Sequence, residues 1–277
     1  MNRIPFSQVL KNASINPKQE YSRLYHLFCK KEYQVNYTEY CNVREYIEQC
    51  FLYIPLHGTC ISLLDFDEKH GYNFNEYIPH NVDETDYLLS FCEYSYNLAY
   101  SVKNAKDPEV PIVLIQVMSR PLELYIEHVM TLIEKMGYIP NEKDGITDFV
   151  PNSQAAISVS EIIDPNLSYD VIEYNHHAMK GDLEKKRRIL EALAIRLEDD
   201  ENDKILKKFS TLYSELGFLL NHVHIRHGDG KQLSSQMDDA ELESWYDETY
   251  QTMLLAFLEI DNYKRSEKIK ELKQRLQ

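Results

Sequence analysis

Apolar side chains recur at steps of three and four along most of this chain, the period that turns one face of an α-helix toward a core. The clearest stripe is Ile205, Phe209, Leu212, Tyr213, Leu216, Leu220 and Val223, which predicts one helix over 203–227. Comparable stripes predict helices near 18–31, 38–53, 83–102, 112–118, 122–136, 153–163, 168–180 and 182–198, and a last one from 238 to the end. Pro121 suits the first turn of the 122–136 helix. The stretch 67–81 reads as an irregular connection. Around Lys143-Asp144-Gly145 the pattern changes to short extended arms. An Asp-Gly pair between such arms supplies the left-handed residues of a tight turn, so 138–151 is predicted to be a hairpin. The fold class is therefore mainly α, a helical bundle with one small β-hairpin. The low glycine count, 8 in 277 residues, agrees with it. The polar run 103–109, with Pro108 near its end, reads as a linker. It divides the chain into an N-terminal helical part, 1–108, and a second part, 109–277.

Composition narrows the function classes. Acidic residues outnumber basic ones 45 to 30, for a net charge of −15, which disfavours a nonspecific grip on nucleic acid through overall charge. The start of the chain lacks the apolar core of a signal peptide. The longest apolar stretch, near 111–118, is far below the roughly 18 residues that suggest a membrane span. Cys29, Cys41, Cys50, Cys60 and Cys92 form no CxxC pair. An odd, scattered set reads as reduced core thiols rather than a disulfide frame or a zinc site. These features predict a cytoplasmic protein without a membrane segment. Phosphate-loop, dinucleotide and serine-hydrolase signatures are missing from the sequence, and no cofactor is expected.

One basic cluster stands against the acidic background: Lys180 with Lys185, Lys186, Arg187 and Arg188. These five are candidates for nucleic-acid binding. The same run also fits a solvated helix face, with Asp182 as N-cap, Glu184 in the first turn, and Leu183, Ile189, Leu190 and Leu193 turned inward. Glu173 and His176 form a single Glu-x-x-His, too little for a helical di-metal site, which needs a second such pair, and no metal site is expected. His57 and Cys60 lie close in sequence without an assignable third group. In the last helix, Leu242, Trp245, Tyr246, Tyr250, Met253, Leu254, Phe257 and Leu258 share one side. That face is wide enough to predict a core element or a homodimer contact.

The segment Asn221-His-Val-His-Ile-Arg-His-Gly-Asp-Gly230 carries the sharpest chemical signal. Extending the 205–223 stripe at roughly 100° per residue brings positions 226 and 227 to the core-facing side. Arg226 and His227 would then end an apolar stripe with a cation and an imidazole. Cleavage of RNA by its own 2′-hydroxyl needs a base, an acid and a cation at the phosphate. Histidine, with its reference pKa of about 6.5, serves the first two roles, and the guanidinium fork serves the third. His222 and His224 join Arg226 and His227 as candidate catalytic residues. The competing reading is a helix C-terminus, where cations are favoured and Gly228 or Gly230 turns the chain.

Taken together, Glu173-Tyr-Asn-His-His-Ala-Met-Lys-Gly-Asp-Leu-Glu-Lys-Lys-Arg-Arg-Ile-Leu190, Leu219-Leu-Asn-His-Val-His-Ile-Arg-His-Gly-Asp229 and Trp245-Tyr-Asp-Glu-Thr-Tyr-Gln-Thr-Met-Leu-Leu-Ala-Phe257 resemble bacterial abortive-infection proteins whose C-terminal part is a HEPN-like helical bundle. The resemblance spans roughly 138–260. It implies phage defence, an all-helical dimerising C-terminal part and metal-independent ribonuclease activity, with RNA, a partner defence protein or a phage component as ligands. The motif spacing departs from that pattern. Active HEPN nucleases separate the arginine and histidine by several residues, whereas His227 here follows Arg226 directly. The same resemblance therefore also accommodates a noncatalytic helical module that binds a partner or senses phage.

Overall fold

The computed structural model describes residues 15–105, 108–226 and 237–275. Among them the chain forms eleven α-helices and two small two-stranded hairpins, the mainly α class that the periodicity predicts. It divides into two compact units, Met1–Phe149 and Val150–Gln277. The division falls some forty residues beyond the predicted linker. The reason is helix α5, described next, whose apolar face completes the first core.

In the first unit, α1 (Pro17–Tyr25) starts at an Asn16 cap and runs into a π-turn (His26–Lys30). A two-residue hairpin, β1 (Tyr33–Gln34) against β2 (Tyr40–Cys41), leads to α2 (Val43–Cys50). The Asn42 side chain accepts from the Glu45 N–H at 2.9 Å and Glu45 accepts from the Asn42 N–H at 2.9 Å. This reciprocal cap satisfies two donors that a helix start leaves open, and it is why the helix begins at Val43 rather than near 38. Helix α3 (Leu63–His70) occupies part of the stretch expected to be irregular. Helices α4 (Glu84–Lys103) and α5 (Ile112–Lys135) form the main pair. Instead of starting a second helix, Pro121 lies inside a continuous α5. Leu114, Met118, Leu122, Tyr125 and Val129 of α5 join Tyr21, Phe28, Ile47, Leu88, Phe91 and Cys92 in one core. Inside it the Tyr125 hydroxyl donates to Ser95 Oγ at 2.7 Å, and Ser95 donates to the Phe91 carbonyl at 2.7 Å, so no hydroxyl is left unpaired where that would be costly.

The hairpin β3 (Tyr138–Lys143) and β4 (Ile146–Pro151) turns through Asp144 and Gly145, at φ 54° and 79°. The predicted two-residue turn is thus realised with both central residues left-handed. Asn97 on α4 holds β4 at both groups of one residue, accepting from the Thr147 N–H at 2.8 Å and donating to its carbonyl at 2.7 Å.

The second unit contains α6 (Gln154–Ser160), α7 (Pro165–Glu173), α8 (Leu183–Leu197), α9 (Asp200–Leu206), α10 (Ser210–His222) and α11 (Asp239–Gln274). Ser153 caps α6, and Asp182 caps α8 as the sequence predicts. The single helix expected over 203–227 is two, separated by a turn at 207–209. Helix α11 continues to Gln274 through the charged stretch. Its Tyr246, Tyr250, Met253, Leu254 and Phe257 are buried against Val171, Leu190, Leu193, Leu216 and Leu220 of the same unit. The wide aromatic face is therefore largely covered from within, leaving Trp245 and Leu255 exposed.

Candidate functional site

Helix α10 stops at His222, and this decides the geometry of the Arg226 segment. His224 takes a left-handed conformation, φ 63°, the reversal that sequence reading assigned to Gly228 or Gly230. The turn drives Ile225 into the core, and the Arg226 N–H donates to the Leu220 carbonyl at 3.2 Å. Position 226 consequently does not extend the helical stripe. His227, Gly228 and Gly230 lie outside the described residues. The Arg226 guanidinium pairs with Glu198 and donates to Asn221 Oδ1 at 3.1 Å. The His222 ring stacks on Phe218, with centroids 4.3 Å apart, and its Nδ1 lies 2.8 Å from the Phe218 carbonyl. That contact requires Nδ1 to carry the proton. His224 is exposed on the turn. Arg226, His222 and His224 share a helix end, where the guanidinium is held by Glu198 and Asn221 and the His222 ring is positioned through Nδ1 and Phe218.

The basic run is likewise engaged. Lys185 pairs with Glu173 at 2.7 Å, Arg187 pairs with Glu191, and Arg188 pairs with Glu184. Lys180 is exposed and also has a partner. Lys186 is different in kind: it points inward and is 5% exposed. Its Nζ lies 2.8 Å from both Glu243 Oε1 and Asp247 Oδ1 on α11 and 5.3 Å from the centre of the Tyr174 ring. Glu243 Oε1 also accepts the Gly181 N–H at 2.8 Å, and the Tyr174 hydroxyl donates to Asp247 at 3.1 Å. Burial pushes the Glu243 carboxyl up, but the Lys186 and Gly181 donors outweigh it and hold it below its ordinary value. Lys186 therefore adds nothing to an open basic face, while the other four cations each have a partner. Glu173, of the Glu-x-x-His pair, bonds to Lys185.

An open polar site exists in the first unit, where the sequence signalled none. Its base is a triangle. Arg44 on α2 donates through Nη1 to the Tyr94 hydroxyl at 2.6 Å and through Nη2 to Asp67 Oδ2 at 2.7 Å. The Tyr94 hydroxyl donates to Asp67 Oδ1 at 2.8 Å. Gly71 ends α3 at φ 71°, with the Tyr72 N–H donating to the Asp67 carbonyl at 2.8 Å, a left-handed helix end that folds the chain back. This return brings Tyr72 and Phe74 onto Tyr94, with ring centres 4.8 and 5.1 Å away, and Phe74 onto Phe91 at 5.1 Å. Tyr25, Cys29 and Lys30 close the other side. The cleft measures about 550 Å³. Burial pushes the Cys29 thiol up to about 11 and raises the Tyr94 hydroxyl far above its usual range. Both stay protonated at neutral pH, so the cleft offers hydrogen bonds and ring faces rather than an activated nucleophile.

Compared with family models, with curated proteins and with solved structures, the chain matches none. No helix among the described residues is long and apolar enough to cross a membrane.

Proposed function

We propose that the protein is an antiphage defence module that acts by binding rather than by cutting RNA. The defence role comes from the abortive-infection resemblance of the second unit. The choice of binding over cleavage is carried by one observation: the Arg226 guanidinium is held by Glu198 and Asn221. A cation that stabilises the reaction must reach the phosphate. Here the guanidinium serves the end of α10. The competing reading, a dimeric ribonuclease using Arg226, His227, His222 and His224, rests on the resemblance and on the residue types of the 221–230 segment.

The test is phage plating on cells that express wild-type protein or Arg226→Ala, together with incubation of the purified proteins with RNA. The binding reading expects protection by wild type, protection retained by Arg226→Ala and intact RNA in both incubations. RNA cleavage by wild type that Arg226→Ala abolishes would establish the ribonuclease instead, and light scattering of the same sample would show whether it is a dimer.

A further inference from the structure

We propose that the Arg44–Asp67–Tyr94 cleft of the first unit binds a purine nucleotide. The proposal deepens the binding reading and rests on it for biological meaning, but the titration below involves no phage, so either can fail alone.

Three observations carry it. The first is size: about 550 Å³ lies within the range of small-molecule sites and leaves room for a two-ring base and its sugar. The second is the wall. Tyr72, Phe74, Phe91 and Tyr94 line one space; Phe91 and Tyr94 are buried, and Tyr72 remains 37% exposed. Bases stack on aromatic faces, and such contacts are favourable because they remove both surfaces from water. The third is the polar edge. Arg44 has five N–H donors, of which the triangle uses one on each terminal nitrogen. Its side chain is 33% exposed beside that of Asp67 at 11%. Donor and acceptor thus stand side by side next to a stacking surface. Guanine presents O6 and N7 as two adjacent acceptors for a bidentate arginine, whereas adenine presents N7 as an acceptor for Arg44 and N6–H₂ as a donor for Asp67. Lys30 lines the same cleft, half exposed and 3.7 Å from Glu76, and supplies a point charge for a phosphate.

A purely structural ion pair accounts for the triangle but not for its placement. Sealing Arg44 under Tyr72 would have removed the cavity, as the second unit does around Lys186.

The experiment is calorimetric titration of the full chain with guanosine and adenosine 5′-monophosphate, with uridine 5′-monophosphate and ribose 5-phosphate as comparisons. At least one purine nucleotide is expected to bind at least tenfold more tightly than ribose 5-phosphate. Tyr72→Leu keeps an apolar surface residue but removes the stacking face and is expected to weaken binding about tenfold or more. Arg44→Lys keeps the charge beside Asp67 but loses the fork and is expected to do the same. An unchanged melting temperature for Tyr72→Leu separates lost recognition from lost folding. If neither purine nucleotide binds, if ribose 5-phosphate binds equally well, or if Tyr72→Leu binds like wild type, the proposal is overturned.

Discussion

Arg44 in the first unit and Lys186 in the second hold the same kind of partners, acidic side chains and a tyrosine, yet one cation faces a cavity and the other is sealed. The chemistry of each residue suits its setting. The Arg44 fork can serve Asp67 and Tyr94 and still have donors to spare. The Lys186 ammonium is a compact charge with three donors, and two go to Glu243 and Asp247 while the Tyr174 ring covers one side. A buried cation that is fully matched specifies which helices meet, in this case α8 on α11. A partly open one can exchange water for a ligand. The comparison teaches that charge type alone does not separate a binding site from a structural bridge, whereas the space left beside it does.

The comparison breaks most directly at Lys186. Removing one partner of a buried pair leaves the other desolvated and costs roughly 3–5 kcal/mol. Asp247 is half exposed and rehydrates easily, so Lys186→Ala is expected near the low end, about 3 kcal/mol. Trp245, the only tryptophan, lies in the second unit, so urea unfolding followed by its fluorescence reads the effect where it arises. A loss below about 1 kcal/mol would mean that the network is no more than a surface pair.

A second contrast concerns the thiols. All five cysteines belong to the first unit. Burial pushes Cys29 and Cys50 up to about 11, and burial with Glu45 nearby pushes Cys41 up to about 12. Because the folded value is raised, the stability each thiol contributes is fully present below its ordinary value of about 8.5 and is lost as pH rises from there toward 11–12. At pH 9.5 the first unit is expected to lose on the order of 1 kcal/mol per buried thiol relative to pH 7.5. Pulsed thiol labelling along a urea gradient reports that unit, and Trp245 fluorescence reports the other. An equal fall in both midpoints would remove this distinction.

How far the sequence carried these conclusions depended on distance along the chain. Asp144-Gly145 and the Asp182 cap were legible because each is a local rule about a turn or an orphan N–H. The inward course of Lys186 is legible too: it lies four residues before Leu190 and seven before Leu193, on the buried stripe of α8, although its charge alone groups it with the outward cations. Arg226 failed in the opposite direction. The helical period predicts a helix past His222 because nothing about His224 announces a left-handed residue, a conformation that glycine usually supplies. The cleft could not be read at all. Its polar triangle joins residues 23, 27 and 50 positions apart, and only the packing of α2, α3 and α4 brings them together. The unit boundary was misplaced for a related reason: the 103–109 run is polar like a linker, but the face of α5 that follows it belongs to the core that precedes it.

The smallest effect gives the sharpest control on the opening contrast. Arg188 stands two residues after Lys186 in the same basic run, and sequence reading gave the two the same role. In the structure Arg188 pairs with Glu184 one helical turn away, and both side chains are about two-thirds exposed. Water already solvates them, so their attraction is screened and ordering them offsets most of the gain, leaving a few tenths of a kcal/mol. Arg188→Ala is therefore expected to shift stability by less than about 0.5 kcal/mol, roughly one sixth of the Lys186→Ala loss. If Arg188→Ala instead cost as much as Lys186→Ala, with both read by Trp245 fluorescence, burial would not be what separates these cations. The distinction between sealed and open charge, on which the assignment of the cleft depends, would then lose its basis.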